Sequence, residues 1–512
     1  MNKWLILVPF FFLFIALHSQ STTDRPNIIW LVTEDNSKHF LKLYHEDGAS
    51  MPAIEGLAQK GVVFNNAFSN APVCSVARST IISGCYAPRV GSQYHRRMQL
   101  APMPENLKMF PEYLREAGYY TTNNSKEDYN HIKSEETWDE SSGEASYKNR
   151  ESGQPFFHVQ NFGATHEGQL HFTKSQMDSI TTQNSIEYAP VFPYHPKTPI
   201  SRFTNAYYRK LHQNVDSQMG EFIEKLEADG LLENTIIFYY GDHGGVLPRS
   251  KGYIYESGLH VPMVVYLPEK WKHLSPIKIG RRTDAFVQFI DLAPTVLNLA
   301  GLDIPEQIDG KPFLGKGVTT ENLHKRNMAF GYADRFDEKY DMVRSLRKGK
   351  YKYVRNYQPF NIDGLFNFYR YKMLAYKEWN ELYQSGKLNR IQQQFFEARS
   401  PEALYDIEKD PHETHNLVGN PLYKSNLEEL RSDLQHQVKS MPDLSFYPEP
   451  YFLEEGLSNP VGFGQKNKTE IEQLVDIADL SLKSFDEVEE EIIISLNSDN
   501  PWKRYWALMV CS

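Results

Sequence analysis

Cys74 and Arg78 stand four residues apart in the stretch Cys74-Ser75-Val76-Ala77-Arg78-Ser79-Thr80, which runs on through Ile81-Ile82-Ser83-Gly84. On a helix that spacing brings the guanidinium back over the cysteine. A helix N-terminus at Cys74 would also favour negative charge there. Both effects suit an activated nucleophile. The competing reading of the same residues is a buried small hydrophobe, or half of a disulfide with Cys85. Two acidic pairs lie at a distance in sequence, Glu34-Asp35 before Asn36 and Asp242 before His243. Either pair alone reads as a solvated loop.

What changes that reading is the place of the acidic pairs along the chain. Glu34 follows the continuous apolar run 27–33, and Asp242 follows the similar run 235–240. Such runs are expected of strands buried on both faces. Runs at 155–161 and 260–267 resemble them, and helical patterns at 52–60, 107–117 and 207–229 fall between. Strands alternating with helices predict an α/β sheet with helices on both faces, whose sites form at the carboxyl ends of the strands. From about Met342 the texture changes. Residues 342–347 and 351–355 alternate about a Lys-Gly-Lys turn and read as an antiparallel hairpin.

These patterns divide the chain into an α/β unit over 25–335, a smaller α+β unit over 336–440 and a helical appendage over 441–512. The chain stops inside an apparent amphipathic helix at 502–512, an end that reads as incomplete. Lys3, the apolar run 5–17 and the polar residues after it have the layout of a cleavable export signal over 1–20. The run is short for a stable membrane anchor, so a periplasmic or secreted protein is expected. The 512 residues carry a net charge of −10, which argues against nucleic-acid binding. Three cysteines are too few for a disulfide framework.

The stretch from Cys74 to Gly84 resembles the sulfatase signature, cysteine-x-proline-x-arginine followed by a small-residue helix, with Val76 where proline or alanine is usual. Further segments in family order resemble other sulfatase motifs: Glu34-Asp35-Asn36, Ser125-Lys126-Glu127-Asp128, Thr165-His166-Glu167, Asp242-His243 and the segment from Lys251 to Gly258. Leu404-Tyr405-Asp406, Asp410-Pro411-His412-Glu413 and Asn416-Leu417 are similar to the family's C-terminal signature, a structural loop.

The resemblance implies an alkaline-phosphatase-like fold: a large, mixed, mostly parallel sheet sandwiched by helices, with a smaller C-terminal α+β domain carrying an antiparallel sheet. It implies that a sulfatase-maturating enzyme oxidises Cys74 to formylglycine, whose hydrate can expel sulfate by re-forming a carbonyl, which a thiol cannot do. It implies one Ca2+ held by Glu34, Asp35, position 74, Asp242 and His243, an oxygen-rich set that suits calcium better than zinc. Arg78, Lys126 and Lys251 would neutralise the sulfuryl oxygens, and His166 would protonate the leaving group. Asp128 stands where a histidine is common.

The resemblance also implies substrate contacts at His95 and Arg96, since Tyr94-His95-Arg96-Arg97 lies just beyond the signature helix where family members often place them, and Asp128 is expected near the substrate as well. The expected substrate is a sulfated polysaccharide or oligosaccharide. Two alternatives remain: a formylglycine-type phosphonate or phosphodiester hydrolase, and a non-catalytic homologue that binds sulfated glycans, which Val76 motivates.

Overall fold

The computed structural model describes residues 24–179 and 190–512; the expected export signal at 1–20 lies outside them. Strand β1 (Asn27–Thr33) is buried along its whole length. It pairs in parallel with β5 (Phe156–Phe162) on one side and β6 (Thr235–Gly241) on the other. With β2 (Gly61–Phe68), β3 (Tyr120–Asn124), β4 (Glu140–Ser141), β7 (His260–Tyr266) and β8 (Arg281–Gln288) they form an eight-stranded sheet ordered β4-β3-β5-β1-β6-β7-β2-β8. Only β7 runs antiparallel to its neighbours, β6 and β2.

Helices cover both faces, and the alternation of side chains along each strand decides which residue meets which helix. Ile28, Trp30 and Val32 face Ala77, Ile81 and Ile82 of the helix Cys74–Ser83, together with Phe110, Leu114 and Val296. Ile29 and Leu31 face Val215, Met219 and Leu226 of the helix Pro199–Ala228. Burial from both sides is why the β1 sequence is apolar at every position from Ile28 to Val32 rather than at alternate ones. The helix expected over 207–229 starts earlier, at Pro199, where the Thr198 side chain accepts from the Ser201 amide and proline occupies the first turn.

The second sheet is antiparallel throughout, ordered β12-β11-β10-β9, from β9 (Met328–Ala333), β10 (Val343–Lys348), β11 (Tyr351–Asn356) and β12 (Glu402–Asp406). It begins at Met328, ahead of the boundary expected at 336, because β9 pairs with β10 across an intervening loop. Residues 441–512 are helical but do not stand apart. Ile471, Leu474, Val475 and Trp506 share one core with Leu346, Tyr353 and Leu404 of this sheet.

One buried ion pair joins the two parts. Arg344 of β10, fully buried, donates from Nε and Nη2 to the Asp443 carboxylate at 2.6 and 3.0 Å. Arg344→Ala would strip the buried carboxyls of Asp443 and Asp334 of their shared cation, so a loss of about 3–5 kcal/mol in urea unfolding is expected. Among the described residues no helix is long and apolar enough to cross a membrane.

Candidate active site

The register of three strands assembles the site. Thr33 lies opposite Phe162 of β5 and Gly241 of β6, so the residues after all three strands leave the sheet at one level. The Glu34 amide donates to the Phe162 carbonyl, the Asp242 amide to the Thr33 carbonyl and the Asn36 amide to the His243 carbonyl. Asp35 is held at φ 52°, a left-handed backbone conformation that is uncommon outside glycine but that aspartate adopts more readily than most residues. Tyr208 donates to its carbonyl from the long helix behind.

The helix Cys74–Ser83 aims its N-terminus at the same point. All its residues are buried, and Gly84 ends it at φ 67°. Cys74 Sγ lies 3.4 Å from His243 Nε2, and that nitrogen lies 2.7 Å from Asp35 Oδ1. Arg78 forks onto Asp242 Oδ2 through Nε at 3.1 Å and Nη2 at 3.0 Å, and Nη1 reaches Asn161 Oδ1 at 2.9 Å. Lys251 Nζ sits on both Asp35 oxygens, at 2.8 and 3.1 Å. Cys74, Cys85 and Cys511 are all free, so the disulfide reading of Cys74 does not hold.

Interlocked charges set the protonation states. Burial works against a charged Asp35, yet Lys251 and His243 hold its carboxyl well below the usual range. Burial likewise opposes ionisation of Asp242, but His243 and Arg78 bring it down to about 2. His243 would lose its proton through burial, but Asp242, Cys74 and Asp35 raise it to about 10. Lys251 is pushed well above its ordinary value by Asp35 against the cost of burial.

The other expected residues divide. His166 and Lys126 both approach Glu34, at 3.8 Å and 2.7 Å from its Oε2. Glu34 thus turns to Lys126, while Asp35, Cys74 and His243 form a tighter buried group with ligand atoms within 4.8 Å of one another. His95 is buried, its Nδ1 2.8 Å from Ser75 Oγ, and it stacks on Phe336 at 4.7 Å. Burial and the nearby cations Arg96 and Lys251 keep His95 neutral, well below its ordinary value. Arg96 and Asp128 pair with each other.

A cavity of about 590 Å³ opens over Cys74 and is lined by His95, Arg96, His166, Glu167 and Lys251. Arg335, Phe336, Asp337, Glu338, Phe368 and Tyr369 complete the lining. Sequence reasoning missed these six residues, because nothing in the 335–369 stretch signals that it lies beside Cys74. It also missed Asn161, which holds Arg78 and is itself fixed by the Asn123 side chain and the Asn124 carbonyl. Glu167 follows His166 directly. Its buried Oε2 lies 3.6 Å from Lys251 Nζ and its amide donates to Asp35 Oδ2 at 2.6 Å.

The buried carboxylates fit a divalent cation. Asp35 and Asp242 are ionised in the interior, and His243 Nε2 lies 2.7 Å from Asp35 Oδ1, where a cation would take the place of the His243 proton. Hard oxygen donors with one imidazole form a set that a divalent ion accepts.

Residues 26–302 match the Sulfatase family, and residues 241–399 match N-sulphoglucosamine sulphohydrolase, C-terminal. An ulvan-active sulfatase of Formosa agariphila is 35% identical over 474 residues, covering 84% of this chain and 78% of its own. The solved structure of BT4656, in complex with its substrate D-glucosamine-2-N,6-O-disulfate, is similar with a TM-score of 0.57 and 18% identity, over 82% of this chain and 98% of that one. A phosphonate monoester hydrolase from Silicibacter pomeroyi also has a TM-score of 0.57, at 17% identity, over 82% and 96% of the two chains. These two solved structures share the fold. The family match, which runs from before β1 past Lys251, and the relative at 35% identity show that the chain belongs to the sulfatase family, as a sulfuric ester hydrolase of alkaline-phosphatase-like fold.

Proposed function

We propose that the protein removes sulfate from a sulfated polysaccharide or oligosaccharide, with position 74 as the nucleophile after maturation and Asp35, Asp242 and His243 holding one Ca2+. The observation that carries this reading is the arrangement over Cys74. Three cationic side chains, Arg78, Lys126 and Lys251, each lie close enough to Cys74 to interact with its charge, and Cys74 and Lys251 line a cavity of about 590 Å³ together with His166. Formylglycine at position 74 would supply a hydrated aldehyde as nucleophile, and calcium a Lewis acid on a sulfuryl oxygen. Lys251 and Lys126 would turn from Asp35 and Glu34 to the sulfuryl oxygens, and Glu34 would support Lys126 rather than the ion.

His166 is preset as a donor. Its Nδ1 accepts from the Gly168 amide at 3.2 Å, which leaves the proton on Nε2. An Nε2–H on the cavity wall can donate to a departing sugar oxygen and stabilise the negative charge that develops on it. His166→Ala should therefore lower kcat/KM for a glycan sulfate by roughly 10²–10³, the usual range for one such donor. The loss on 4-nitrophenyl sulfate should be smaller, since nitrophenolate leaves unaided. Equal losses on both would count against this role.

Export to the periplasm or medium and processing by a sulfatase-maturating enzyme belong to the same reading. The deciding experiment combines mass spectrometry of the Cys74 peptide from the native host with sulfate release from ulvan, carrageenan and heparin oligosaccharides. Conversion of cysteine to formylglycine lowers the mass by about 18 Da. A quantitative thiol with bound glycan and no release would replace this reading with the binding homologue. Preference for phosphonate or phosphodiester substrates would replace it with the alternative hydrolase.

A further inference from the structure

We infer that Phe368 and Tyr369 form the stacking wall of a second subsite, which takes a sugar ring joined to the sulfated one; this rests on the carbohydrate substrate proposed above. Aromatic side chains in this protein are generally interior, and among the described residues the exposed ones gather in one stretch. Phe360, Phe366, Phe368 and Tyr369 are 43%, 64%, 63% and 36% exposed, and Phe485 is the one exposed elsewhere. Leaving such rings in water forfeits the burial that ordinarily holds aromatics inside, so a cluster of them marks a contact surface.

Two of the four, Phe368 and Tyr369, line the same cavity as Cys74, His166 and Lys251. The wall is therefore continuous with the reaction site. It is also braced. Buried Asn367 and Arg370 bracket it, with Asn367 Nδ2 donating to Glu338 Oε2 at 2.7 Å and Asn367 Oδ1 accepting from the Arg370 amide at 2.9 Å. The Arg370 guanidinium in turn sits 3.9 Å from the Phe336 ring centroid. Lys372 Nζ lies 5.0 and 5.1 Å from the centroids of Phe368 and Tyr369, and Tyr369 meets His171 edge-on at 4.6 Å. Rings held this way lose little freedom on binding, which favours affinity.

A flat apolar ring beside a polar, charged pocket is suited to the apolar face of a pyranose. Sulfate itself has no use for it. The subsite therefore reads the chain beyond the ester, and favours oligosaccharides over isolated sulfated sugars and aryl sulfates.

The test compares kcat/KM for whichever ulvan, carrageenan or heparin oligosaccharide the wild type desulfates with kcat/KM for 4-nitrophenyl sulfate. For F368A and Y369A the oligosaccharide-to-aryl ratio should fall roughly 10-fold each, equivalent to about 1.4 kcal/mol, mainly through KM. F366A, whose ring is exposed but outside the cavity, should keep the wild-type ratio. An unchanged ratio in F368A and Y369A overturns the subsite while leaving the carbohydrate reading in place. A wild type that hydrolyses 4-nitrophenyl sulfate but no oligosaccharide overturns both.

Discussion

Cys74→Ala should abolish sulfate release, by at least ~10⁴-fold, while leaving the fold intact. The magnitude follows from removing a nucleophile whose surroundings remain in place: electrostatic stabilisation and binding alone leave only a residual rate of roughly 10³–10⁴ over water in other covalent enzymes. Structure should survive because the substitution deletes one sulfur atom from a buried position, a cavity smaller than a methylene-rich truncation would open. Asp35, Asp242 and His243 remain bonded to Lys251, Arg78 and each other. Ion chromatography of released sulfate, beside a urea unfolding midpoint, reads both outcomes. Turnover retained in the alanine variant would mean that the nucleophile is not at position 74.

Arg78→Ala should damage both activity and stability, and the two losses have separate causes. In the folded protein the guanidinium is the paired partner of Asp242, which is fully buried and held ionised. Deleting it strips Asp242 Oδ2 of both its donors while the Asp35 amide and His243 stay beside Oδ1, at a cost of about 3 kcal/mol, the low end for a broken buried pair. For turnover, a preorganised cation beside the developing charge is lost, worth roughly 10²–10³ in kcat. Arg78→Lys separates the effects. One ammonium can meet Asp242 but cannot also serve Asn161 and the Lys126 carbonyl, which the guanidinium reaches at 2.9 and 3.2 Å. The lysine variant should therefore recover most of the stability and little of the rate. If kcat returned with stability, Arg78 would be a scaffold residue only.

Much of the site was legible in the sequence because its parts are local. A glycine at position 84 can end a helix, an arginine at i+4 faces its partner, and acidic residues directly after apolar runs must lie at strand ends. Each depends on a few neighbouring residues, and the structure places Cys74, Arg78, Asp35, Asp242, His243, Lys126, Lys251 and His166 within one site. Tertiary structure alone decided how these groups divide their charges. Nothing in the sequence says that Glu34 turns to Lys126 while Asp35 takes Lys251 and His243. The pairing of Arg96 with Asp128 was equally hidden.

The same holds for the wall of Phe368 and Tyr369, and for helices beyond residue 441 that complete the core of the small sheet. Local sequence determines periodicity, caps and turns, through interactions that span a turn or two of chain. Which side chain meets which across a hundred residues depends on strand register and on how the sheets pack, and those are set by the summed burial of the whole chain.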